Sequence, residues 1–143
     1  MKAKVLHDDG ERTTVLVFET GDRVIEGLLS FAKTHALTAG HFMAIGAFQD
    51  VTLGYFDWEK KDYTRIEMKE QVEVLSLVGD IALEDDAPKV HAHVVVGKAD
   101  GTAHGGHLIE ARVRPTLEVI LVQPPGYLRR RFDKDSGLAL IRP

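Results

Sequence analysis

Residues 90–108 read Val90-His91-Ala92-His93-Val94-Val95-Val96-Gly97-Lys98-Ala99-Asp100-Gly101-Thr102-Ala103-His104-Gly105-Gly106-His107-Leu108. An apolar, valine-rich run meets a short polar break that ends in glycine, and a second run follows. This predicts a β-hairpin with Val90–Gly97 and Thr102–Val113 as its strands. The loop length decides what the hairpin presents. If Ala99-Asp100-Gly101 is a three-residue loop with Gly101 left-handed, Lys98 pairs with Thr102 and His93 faces His107. His91, two residues before His93, lies on the same face and diagonal to His107. Directly opposed Cβ atoms are about 4.5–5.5 Å apart and diagonal ones about 7–8 Å. A two-residue loop at Asp100-Gly101 would turn His107 to the other face, because a one-residue slip inverts every side chain. A bulge at Gly105-Gly106 would also re-aim His107.

Working outward, the chain reads mostly as strand. Thr13–Phe18 is β-branched and apolar. Val24, Ile25, Leu28, Leu29 and Ala32 form an amphipathic stripe, which predicts one principal helix running to about Leu37 with Asp22 as its N-cap. Gly27 weakens that helix by about 1 kcal/mol, and Thr38-Ala39-Gly40 ends it. His41–Phe48 is apolar on both sides and suits a strand covered on both faces. Val51–Phe56 and Tyr63–Met68 predict a hairpin, and Val72–Leu83 a long strand with Gly79 as a candidate bulge or kink. Glu84-Asp85-Asp86-Ala87-Pro88 reads as a loop. Leu117–Val122 is a further strand, stopped by Gln123-Pro124-Pro125-Gly126. The expectation is an α+β fold: a single compact domain, residues 1–143, with a mainly antiparallel sheet of about seven or eight strands and one principal helix. Its core spans about 13–122, with 123–143 as a C-terminal extension.

The 143 residues are 44% apolar, enough for one sizeable core. There is no cysteine, so disulfides, thiolate zinc sites, iron–sulfur clusters and cysteine nucleophiles are excluded. Any transition metal must rest on His, Asp or Glu. Eighteen Lys and Arg against 22 Asp and Glu give a net charge of -4, which opposes a whole-surface nucleic-acid binder. No apolar run suits a signal peptide or a membrane span, so the expected location is cytoplasmic.

His91, His93 and His107 are the candidate metal ligands. Three neutral imidazoles suit Zn²⁺, with Fe, Ni or Co as other options, and they leave a fourth position open. That open position admits a second reading, a metal-dependent enzyme acting on a small molecule, with Asp80 and Glu110 as the nearest acids. Glu110 falls on the wrong face in the three-residue register. His104 also falls on the opposite face, and His7, His35 and His41 are isolated. No phosphate loop, dinucleotide fingerprint or nucleophile elbow is present. Arg129, Arg130 and Arg131, flanked by Tyr127 and Phe132, are the candidate nucleic-acid contacts. The competing reading is a solvated C-terminal segment.

Several stretches occur together and in order: Phe48-Gln49-Asp50-Val51-Thr52-Leu53-Gly54-Tyr55-Phe56-Asp57, Val72–Gly79, His91-Ala92-His93, Asp100-Gly101 and Gly105-Gly106-His107-Leu108. In these the chain resembles the plant- and prokaryote-conserved (PPC) domain family, from about Val15 to Val122. The resemblance implies a compact α+β domain, assembly as a homotrimer, and a metal at a histidine cluster matched by His91, His93 and His107. Zn²⁺ is the expected ion. It also implies an association with DNA, but plant members reach DNA chiefly through an AT-hook, which these 143 residues lack. The plant partner-binding motif Gly-Arg-Phe-Glu-Ile-Leu is matched by Glu70-Gln71-Val72-Glu73-Val74-Leu75, so Val72, Glu73, Val74 and Leu75 form the candidate partner strand without the Gly and Arg.

Overall fold

The computed structural model describes residues 1–142. β6 (Ala87–Gly97) and β7 (Ala103–Gln123) are joined by the three-residue loop, with Gly101 at φ +80°. Lys98 N–H donates to Thr102 O and Gly101 N–H to Lys98 O, each at 2.9 Å. Asp100 Oδ1 accepts from the Thr102 amide and hydroxyl and fixes the turn. His93 therefore pairs with His107, and the two-residue alternative is not adopted.

The remaining strands are β1 (Lys2–Asp9), β2 (Glu11–Glu19), β3 (Ala39–Asp57), β4 (Asp62–Met68) and β5 (Val72–Glu84). With β6 and β7 they form one antiparallel sheet in the order β1-β2-β7-β6-β5-β3-β4. β3 also pairs with β7, so β7, β6, β5 and β3 close into a ring. A short hairpin, β8 (Arg130–Phe132) with β9 (Ala139–Ile141), completes the strands. One core cluster holds side chains with almost no exposure, including Phe18, Phe48, Leu77, Ile81, Leu108 and Leu121. No helix among the described residues is long and apolar enough to cross a membrane.

Helix α1 (Val24–Thr34) buries Val24, Leu28, Phe31 and Ala32 and packs on β6 and β7. Two expectations about it are corrected. Asp22 is not its cap; Arg23 holds that position without a side-chain hydrogen bond. Asp22 instead accepts from the Glu19 amide and the N-terminal ammonium. The free amide of Ile25 donates to Glu110 Oε1 at 3.0 Å, so a strand carboxylate serves the helix N-terminus. Its C-terminus comes three residues early, with Ala36 at φ +50° and Leu37 N–H donating to Ala32 O. This is a Schellman-type closure made without glycine.

β3 and β7 each run unbroken where the sequence suggested two strands. Gly79 is not a bulge, since it pairs regularly with Phe42 and Ala92, and the extra residue of β5 is Leu75. A Cβ at Gly79 would overlap the Phe42 ring and lie 2.5 Å from the His91 carbonyl oxygen. Gly79→Ala is accordingly expected to destabilise the domain by about 1–3 kcal/mol, as overpacking does. Urea unfolding followed by circular dichroism measures it, and an unchanged midpoint would refute the close-packing account.

Candidate metal centre

Strand alternation and the turn register bring three imidazoles together on the outside of the ring. Ring centroids are 5.0 Å apart for His91–His93, 5.2 Å for His91–His107 and 5.6 Å for His93–His107. One nitrogen from each lies within 4.8 Å of the others. His93 is exposed, while His91 and His107 are half-buried. Tyr63 from β4 stacks on His107, with centroids 4.5 Å apart.

The surroundings of His91 and His107 favour their neutral forms. Burial, then the nearby His91 and His93, push His107 down to about 4. Burial and the Arg130 guanidinium lower His91, against the opposing pull of Asp80. Neutral imidazoles have free lone pairs, which is the ligand form. His107 Nδ1 is buried and has no hydrogen-bond partner, an uncommon state for a buried polar atom. A metal ion would resolve both features, so the residues fit the group. Three imidazole nitrogens and an open position suit a tetrahedral divalent ion.

Around the rings sits a second layer. Asp80 Oδ2 is 3.9 Å from His91 Nδ1, and Asp80 Oδ1 accepts from Arg130 at 2.5 Å. Carboxylates beside metal-site histidines orient the rings. The residue pairing extends the site sideways: His107 pairs with His93, His93 with Val78, Val78 with Met43 and Met43 with Ile120. This row crosses four strands on the outer face. Met43 is 62% exposed, Val78 50% and Ile120 37%. Ile45, Leu75 and Val95 are also exposed on these strands.

The other sequence candidates are placed as follows. His104 is exposed, pairs with Val96 and stays out of the cluster. His35 ends α1, stacks on Phe31 and contacts its carbonyl oxygen. Val72 and Val74 are buried, whereas Glu73 and Leu75 are exposed. The C-terminal segment is not merely solvated, as Leu128 exchanges backbone hydrogen bonds with Leu83 and Thr38. Arg129 pairs with Asp86, and Arg130, with a side chain only 6% exposed, pairs with Asp80. Arg131 is exposed. The arginine run is therefore divided among different faces. Sequence reading assigned Arg130 to nucleic acid because its acidic partner lies 50 residues away, and it found no role for Tyr63.

Fold and site together define a small, closed antiparallel β-domain with a three-histidine cluster on its outer wall. The family model for the Plants and Prokaryotes Conserved (PCC) domain matches residues 7–124. The chain belongs to this family, also written PPC. It is similar to a plant- and prokaryote-conserved protein of Pyrococcus horikoshii, 31% identical with TM-score 0.87, covering 99% of this chain and 95% of that one. It is also similar to a metal-containing protein of Archaeoglobus fulgidus, 34% identical with TM-score 0.85, covering 98% and 99%. A third similar structure, from Ralstonia eutropha, is described as a candidate DNA-binding protein; it is 25% identical, TM-score 0.85, with 90% of each chain covered. Among curated proteins, the bifunctional protein GlmU of a Synechococcus strain is 30% identical over 120 residues. That match covers 82% of this chain but only 18% of GlmU.

Proposed function

We propose that this domain is a homotrimeric binding module that carries a Zn²⁺ ion on His91, His93 and His107. The convergence of three imidazoles, one with an orphaned buried nitrogen, carries this reading. The metal-containing description of the Archaeoglobus relative supports it. The ion would supply Lewis acidity and an open coordination position, while Asp80 and Arg130 hold the His91 side of the site. The exposed Met43–Val78–Ile120 row supports self-association, because exposed apolar patches of this kind mark contact surfaces. Three-fold cyclic symmetry is what the family resemblance implies, and it repeats each site three times. Elemental analysis of untagged protein, with light scattering on the same sample, tests the reading. About one zinc per chain at trimer mass is expected. A metal-free monomer would overturn it.

The DNA association supported by the Ralstonia relative is a weak one in this reading. Ion pairs occupy Arg129 and Arg130, the net charge is -4, and assembly multiplies that charge. Any complex is expected to dissolve as salt rises toward physiological strength. A mobility shift that persists there with sequence preference would refute this.

A further inference from the structure

Tyr63 reaches His107 although a strand lies between them. Gly54 of β3 pairs with His107 of β7 on one side and with Arg65 of β4 on the other. Tyr63 is two residues from Arg65 on β4, so both side chains leave the sheet on the same face. At this point β4 and β7 are two sheet spacings apart, about 9–10 Å. The Tyr63 and His107 rings nevertheless stack, tilted by only 26°. The space between them is open because residue 54 has no side chain. A Cβ at Gly54 would lie 2.8 Å from Tyr63 Cδ1, closer than side chains pack. Phe56, which pairs with Tyr63 across β3 and β4, meets its ring edge to face at 5.3 Å between centroids. The two half-buried ligands thus have different neighbours. His91 has the Asp80 carboxylate beside it, whereas the buried Nδ1 of His107 has no hydrogen bond. An aromatic face takes the place of a polar partner on the His107 side.

We propose that Tyr63 is a positioning residue of the metal centre, holding the His107 ring in its ligating orientation across the gap that Gly54 leaves. It acts through its ring and not its hydroxyl, because stacking uses the π face. Other rotamers of His107 would carry its nitrogen away from His91 and His93. Fixing the ring before an ion arrives removes that ordering cost from binding. The assignment rests on the metal reading for its effect on affinity, while the stack itself is a property of the chain.

The test measures the Co²⁺ affinity of the full-length untagged protein from the visible absorption of the bound ion. Tyr63→Ala is expected to weaken cobalt binding about tenfold, the lower end of what outer-layer partners of a metal site contribute. Tyr63→Phe should keep the wild-type affinity. Gly54→Ala changes no ligand, yet it should also weaken cobalt about tenfold. It should cost nothing further when Tyr63 is already replaced by alanine, since both changes act through one ring. Wild-type affinity in either alanine variant, or Tyr63→Phe as weak as Tyr63→Ala, overturns the proposal. Proton NMR of the metal-free protein gives a second readout. The His107 ring signals, identified by their loss in His107→Ala, should lie upfield under the Tyr63 ring. They should move downfield in Tyr63→Ala and Gly54→Ala but not in Tyr63→Phe. If the wild type takes up no cobalt, the metal reading has failed by itself and these signals decide the positioning, with unmoved signals overturning it. If circular dichroism shows Tyr63→Ala unfolded, Gly54→Ala carries both readouts.

Discussion

His91→Ala and His107→Ala are each expected to bring metal content from about one ion per chain to near zero, because two imidazoles alone make a weak site. His104→Ala, on a ring that the β6–β7 pairing keeps apart, should leave it unchanged. Plasma emission analysis of dialysed proteins reads the outcome, and metal retained by both ligand variants would sink the assignment. The pH dependence has a definite sign. His107 is held at about 4, below its ordinary 6.5, chiefly by burial, and His91 is lowered in the same direction. A histidine with a depressed folded pKa contributes stability above the unfolded value and loses it as pH falls through the folded one. The metal-free protein should therefore weaken progressively between about pH 6.5 and 4. His107→Ala should flatten that slope in a series of melting curves. A steeper slope would mean that the ring is stabilised by protonation, contrary to its burial.

Met43→Glu combined with Val78→Glu is expected to reduce the proposed trimer to the 15.8 kDa chain. These side chains are paired neighbours on β3 and β5, both at least half exposed in the single chain. Carboxylates there cost little in an isolated domain, but stacked on copies of themselves they are desolvated and repel. Light scattering should fall from three times the chain mass to one, with the far-UV spectrum retained. A mass that does not change would place the contact surface elsewhere. The same double variant separates the two parts of the proposed function, since all three histidines remain in place.

Some of this was legible in the residues alone, and the pattern of success is physical. The β6–β7 register depends on Gly101 and Asp100, both inside the turn, so local chemistry was enough to set the candidates His91, His93 and His107. The helix stripe was equally local. What failed depended on distant partners. Asp22 looked like a cap because the true acceptor, Glu110, lies on a strand far along the chain. Gln49-Asp50 and Arg114-Pro115-Thr116 looked like breaks; they fall where the β3–β7 register shifts, and both strands continue past them because pairing resumes on either side. β1 has no buried residue and so gave no alternating signal. The arginine run looked solvated because Asp80 and Asp86 lie on another hairpin.

The pairing of β3 with β7 settles one last matter. A flat seven-stranded sheet offers two long borders to any passing strand. Here the ring consumes the interior borders, and the free ones are β1 and β4. β1 carries Lys2, Lys4, Asp8 and Asp9, and β4 carries Asp62, Arg65 and Glu67. Charged selvedges of this kind discourage a neighbour from adding on, which is how fibres begin. Val5, Leu6 and Ile66 are exposed among these charges, but the row of Met43, Val78 and Ile120 lies on a face rather than a border, so contact between copies is expected face to face rather than by endless strand addition.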